Sequence, residues 1–172
     1  STVIDMAYTA EQAAEILKQD SFRSSYLKEL FDKQCIWSDP LSWNYFSEEY
    51  AKQVISGFEF LAKHETPYLL HCSAGRDRTG FAVMMLAILA DAEKEDIITD
   101  YMITWENCYE VERGTVLWDY IRGWQIEDWM DRILTEYGNQ GEETLKDATR
   151  NYLLRNGMNP DTLDLLIRKL TL

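Results

Sequence analysis

Residues Pro67 to Ala90 read PYLLHCSAGRDRTGFAVMMLAILA, and no other stretch constrains the fold as tightly. It opens apolar, turns polar around a glycine, and closes as a second apolar run. That order predicts a buried strand over YLLHC, a tight loop, and a buried helix from Thr79 to Ala90. A parallel sheet with helices packed on it is the architecture that such a unit builds.

The flanking sequence supplies helices. Thr9 with Gln12 three positions on is a capping box opening a helix over TAEQAAEILKQ. A second helix is expected from Phe22 to Lys33. CIWSDPLSW reads as a loop, because Asp39-Pro40 disfavours helix there. Helix resumes from Ser47, with Ala51, Val54, Ile55, Phe58 and Leu61 on one face. Further helices are expected over Glu93–Tyr109, Trp118–Tyr137 and Glu142–Asn156, and the last opens at Asn159-Pro160. Trp105, Trp118, Trp124 and Trp129 fall at helical spacing and are expected in the core rather than as an aromatic substrate wall. Cys35 and Cys108 are expected as small buried hydrophobes, and His64 at a helix end.

Strands are scarce. Beside YLLHC, only STVIDMAY offers another. One parallel strand is not stable alone. The expectation is an α/β fold, predominantly helical in this chain, with part of its sheet outside the chain. An upstream segment or a second chain would supply that part. Residues 1–172 are expected to form a single domain lacking the upstream segment, as no linker, repeat or low-complexity tract divides them.

Charge and cysteine usage narrow the partners. The net charge is −13, which repels nucleic acid and anionic membranes at long range. The longest apolar run is too short to span a bilayer, so no stable membrane insertion is expected. Three widely spaced cysteines argue against a disulfide framework and for a reducing, cytoplasmic compartment. Secretion stays open, because the chain starts at Ser1 rather than at a methionine. With only His64 and His71, no cluster has zinc spacing.

Within this acidic chain, residues 72–79 are a local positive feature. A short loop leading into a helix can curl so that successive N–H groups point at one centre and bind a tetrahedral oxyanion. Gly75 permits backbone conformations that other residues resist. Arg78, six positions after Cys72, can fork onto two phosphate oxygens. The same field stabilises a Cys72 thiolate, which would lie beneath the phosphorus for in-line attack. The product is a phosphocysteine that water hydrolyses, and no metal or other cofactor is required.

The stretch HCSAGRDRTG, His71 to Gly80, resembles the Cys-x5-Arg-Thr signature of protein tyrosine phosphatases. Within that superfamily it is most similar to the bacterial tyrosine/lipid branch, whose loop reads HCxAGKDRTG. The resemblance implies a cysteine-phosphatase-like parallel sheet flanked by helices, with a phosphate-binding loop at 72–79 that also takes free phosphate or sulfate. It implies Cys72 as nucleophile, Arg78 as phosphate clamp, and Thr79 as the hydroxyl that steadies the sulfur. Ser73, Ala74, Gly75, Arg76, Asp77 and Arg78 would surround the phosphate, with His71 orienting the loop through hydrogen bonds. Arg76 stands where the branch usually has lysine, and the arginine- and glycine-bearing upstream segment of the family is not found in this chain. Asp77 is the favoured general acid, although flanking arginines favour its ionised form. Asp39, in the tryptophan-containing WSDP segment, is the competitor. The implied substrate is a phosphorylated protein, phosphotyrosine first, with phosphoinositides as a dual-specificity extension. A phytase-like inositol phosphatase and a catalytically silent phosphate-binding module are the alternatives.

Overall fold

A computed structural model describes residues 1–19, 24–139 and 144–171. Three strands, β1 (Thr2–Asp5), β2 (Ile36–Ser38) and β3 (Tyr68–His71), form a parallel sheet in the order β2-β1-β3. Ile4 pairs with Trp37 and with Leu70, while Asp5 pairs with Ser38 and with His71. β1 is buried along its whole length, as a central strand covered on both faces must be. Between and after the strands run α1 (Ala10–Lys18), α2 (Ser25–Asp32), α3 (Glu48–Lys63), α4 (Asp77–Leu89), α5 (Lys94–Tyr109), α6 (Val116–Arg122), α7 (Asp128–Tyr137), α8 (Leu145–Arg155) and α9 (Pro160–Leu170).

Side-chain alternation splits the sheet's two faces. Val3 and Ile36 turn toward α1 and α2, lining a hollow with Ala13, Leu17 and Phe31. Ile4, Trp37 and Leu70 turn toward α3 and α4, against Val54, Phe58 and Ala82. α4 is the hub and packs on β3, α5, α8 and α9. That position explains its unbroken apolar run from Phe81 to Leu89, since a helix surrounded by others has no polar face to offer. Phe81, Met84, Met85 and Leu89 are almost fully buried; each burial contributes roughly 1.5–3 kcal/mol of transfer free energy.

The expectation that part of the sheet lies outside the chain is corrected in one respect: the chain itself supplies a third strand. Ile36–Ser38 lies inside the segment expected as a loop. Three residues are too few to show a period, and Asp39-Pro40 marks only the strand's end. Long-range pairing makes the strand: Val3 N–H donates to Cys35 O at 2.9 Å and Asp39 N–H to Asp5 O at 3.1 Å. Three burial expectations also fail. The strand expected to be buried, β3, lies at the sheet edge half-buried, with Leu69 56% exposed. Cys108 is exposed and Cys35 half-buried, and Trp124 is 64% exposed, stacked on exposed Tyr120. Trp118 and Trp129 are in the core as expected. The predicted helix 118–137 is broken by a π-helical turn at Gly123–Glu127.

The capping signals are in place. Thr9 and Thr144 form capping boxes, Asn159 caps α9 with Pro160 at its first position, and Ser47 caps α3. The second and seventh predicted helices start at Phe22 and Glu142, which lie outside the described residues. The described parts begin at Ser25 and Leu145.

α4 and α5 approach closely at Gly80. A Cβ there would meet the Tyr101 ring at 2.6 Å, and that ring is buried and tied to Gln125 by a hydrogen bond. Gly80→Ala is therefore expected to cost about 1–3 kcal/mol by overpacking. Chemical denaturation checks this; an unchanged midpoint would show that α5 yields freely.

Candidate active site

Parallel strands all end at one edge of the sheet, and that edge is where open α/β sheets gather ligand-binding loops. β3 delivers Cys72 there, and the chain turns through 73–76 into the N-terminus of α4. Gly75 takes φ +66°, a left-handed conformation that costs an L-residue energy and glycine little.

Cys72 is buried, and burial, the largest single influence, pushes its thiol pKa up. The opposing influences together win, leaving it below the ordinary thiol value: the Thr79 hydroxyl, and backbone N–H groups of Thr79, Ala74 and Gly75 that stabilise the sulfur's anionic form. Thr79 Oγ1 is buried without a hydrogen bond of full geometry among the described residues. The backbone N–H groups are therefore the firmer part of that set, because the turn fixes them.

Arg78 is almost fully buried under the loop. Nη1 donates to Met6 O at 2.6 Å and Nη2 to Ser73 Oγ at 3.0 Å. Its Nε is buried with no hydrogen-bond partner among the described residues. Met6 is aimed by the turn after β1, where Asp5 Oδ1 accepts from Ala7 N–H at 2.9 Å and Tyr8 N–H at 3.3 Å. Trp43 covers the guanidinium, its ring 4.6 Å away.

The remaining expected residues spread outward. Arg76 and Asp77 pair with each other, Nε to Oδ1 and Nη2 to Oδ2, both at 2.9 Å. The His71 side chain is half exposed, and its Nδ1 lies 3.8 Å from Asp5 Oδ1. Its link to the neighbouring turn runs instead through the backbone, where Met6 N–H donates to His71 O at 2.9 Å. Asp39 follows β2, two strands across from Cys72, roughly 10 Å by strand spacing. Its carboxyl is pushed up by burial, and Oδ1 accepts from Gln53 Nε2 at 3.4 Å.

Two contributors escaped the sequence reading. Trp43 stacks on Arg78, and Tyr45 packs flat on Phe81 at 4.6 Å. Burial raises the Tyr45 phenol well above its usual range. Both lie in the segment after Asp39-Pro40, where aromatic residues in a loop were the available signal.

Comparison with known proteins adds a family. The profile described as the tyrosine phosphatase family matches residues 3–171. The chain belongs to that family. Among curated proteins it is similar to one of Cupriavidus necator provisionally named a tyrosine-protein phosphatase. The two are 35% identical over 51 residues, which is 30% of this chain and 19% of the relative. No solved structure matches the chain. The family profile spans β1 through α9, so the whole three-stranded framework, and not the loop alone, is of the tyrosine phosphatase kind. Among the described residues no group of three or more His, Cys, Asp or Glu could hold a metal ion, and no helix is long and apolar enough to cross a membrane.

Proposed function

We infer that residues 1–172 act as one phosphatase domain that hydrolyses phosphomonoesters through a phosphocysteine on Cys72. Phosphotyrosine is the favoured substrate, with phosphoinositides a second class. One observation carries the reading: a thiol held below its ordinary pKa by loop N–H groups, beside a buried arginine whose Nε lacks a hydrogen-bond partner among the described residues.

The Cys72 thiolate attacks phosphorus in line, and the P–O bond to the leaving group breaks. Loop N–H groups and Arg78 hold the equatorial oxygens as charge redistributes. Asp77 gives its proton to the departing oxygen. Water then attacks the phosphorus, the S–P bond breaks, Asp77 takes the water proton, and inorganic phosphate leaves. The nest and Arg78 provide the positive field, so the sequence of steps draws on no metal.

Rapid acid quench during turnover of a phosphotyrosine peptide tests this. One phosphoryl group is expected on the peptide containing Cys72; turnover with the label elsewhere would overturn the mechanism. Asp39 is the second candidate acid, favoured by the burial that raises its carboxyl above the ordinary value. Asp77→Asn is expected to slow peptide hydrolysis by about 10²–10⁴-fold while sparing p-nitrophenyl phosphate, whose leaving group needs little acid help. If Asp39→Asn does this and Asp77→Asn does not, the roles exchange.

A further inference from the structure

Both oxygens of Asp77 are engaged. The Arg76 fork occupies them, so neither is open to carry a proton to a leaving group. The fork is seated from behind by α5. The Arg76 guanidinium lies 4.4 Å over the Trp105 ring and 4.9 Å over the Tyr109 ring. Those two rings tilt against each other at 4.9 Å. The pair is still reachable from solvent, with 23% of the Arg76 side chain and 12% of the Asp77 side chain exposed. Because Asp77 is buried, the guanidinium leaves it only when another anion takes up the fork and a proton neutralises the carboxylate.

The other groups around Asp77 leave Arg76 as its cation. Tyr45 faces it from the segment before α3 and Tyr101 from α5; burial pushes both phenols up, so both stay neutral near pH 7. Cys72 supplies a negative charge from the loop when ionised. Arg78 directs its Nη atoms at Met6 O and Ser73 Oγ.

We propose that Arg76 is a positioning residue, a clasp parked on Trp105 and Tyr109 that keeps Asp77 from donating its proton until an anionic group beside the substrate phosphate draws the guanidinium away. The proposal rests on the reading of Asp77 as general acid. The substrate class so selected is a phosphotyrosine peptide with an acidic neighbour. Such a peptide offers the competing carboxylate in solution, whereas a net charge of −13 disfavours approach to an anionic membrane.

The test measures kcat against pH for two phosphotyrosine peptides that differ only in Glu or Gln beside the phosphotyrosine, so the leaving group is the same. In the unaltered protein, the Glu peptide is expected to turn over about tenfold faster than the Gln peptide on the basic limb of the profile, where the proton on Asp77 limits the rate. Arg76→Met is expected to place both peptides on the higher limb. Arg76→Lys, a charge without a fork, is expected to leave a partial separation. Coincident limbs in the unaltered protein overturn the clasp. So does a Glu effect confined to KM, which would mean that Arg76 only binds the peptide. Asp77→Asn separates this failure from that of the underlying reading. If it abolishes peptide turnover and the limbs coincide, the clasp alone falls; if peptide turnover is untouched, the acid assignment falls and takes the clasp with it.

Discussion

Cys72→Ser is expected to remove turnover of p-nitrophenyl phosphate, by on the order of 10⁴-fold or more, while the protein keeps its fold and its affinity for inorganic phosphate. The serine hydroxyl is nearly isosteric but does not ionise near neutral pH, so the field of the loop has no anion to stabilise. The field itself is built from backbone N–H groups of Ala74, Gly75 and Thr79 and from Arg78, none of which the substitution removes. Steady-state kinetics and titration calorimetry with phosphate read the two halves separately. Activity within tenfold of the unaltered protein would place the nucleophile elsewhere.

The second large effect is expected at Arg78. Arg78→Lys keeps a positive charge and loses the planar fork. A lysine cannot serve Met6 O, Ser73 Oγ and a phosphoryl oxygen together, as the guanidinium geometry allows. Loss of one preorganised donor at developing charge is worth about 10²–10³ in kcat. Stability also falls, by about 1–3 kcal/mol, if a buried acceptor such as Met6 O is left unpaired. Kinetics and thermal melting are to be read together. A variant that melts normally and retains kcat within fivefold would show that Arg78 is only a structural strut.

What the sequence could show followed from how local each feature is. α4 and the turn before it were legible because one contiguous stretch carries strand, glycine, cations and apolar helix. Helix caps at Thr9, Ser47 and Asn159 were legible because a cap involves neighbours in sequence. β2 was not, since its existence depends on pairing with β1, some thirty residues away. The same holds for the site. Cys72, Ser73, Arg78 and Thr79 gather as their spacing implied, but the partners of Arg78 and Arg76 come from distant elements. Met6, Trp43, Trp105 and Tyr109 reach the loop only through tertiary packing. Trp105 was expected in the core for its helical spacing, and it does pack there, yet its ring face is what seats Arg76. Periodicity reports which side of a helix is buried and says nothing of which cation lies on that side.

The account turns on the charge state of one sulfur, and site-resolved alkylation reads it directly. Iodoacetamide modification followed by mass spectrometry gives a rate for Cys72 at each pH. Exposed Cys108 in the same molecule provides the control for reagent and solvent. The expected curve for Cys72 has its midpoint below that of an ordinary thiol, in the direction set by Thr79 and the loop N–H groups. Millimolar phosphate is expected to slow modification of Cys72 and leave that of Cys108 unchanged. A Cys72 midpoint at or above the ordinary value, with no protection by phosphate, would contradict the account.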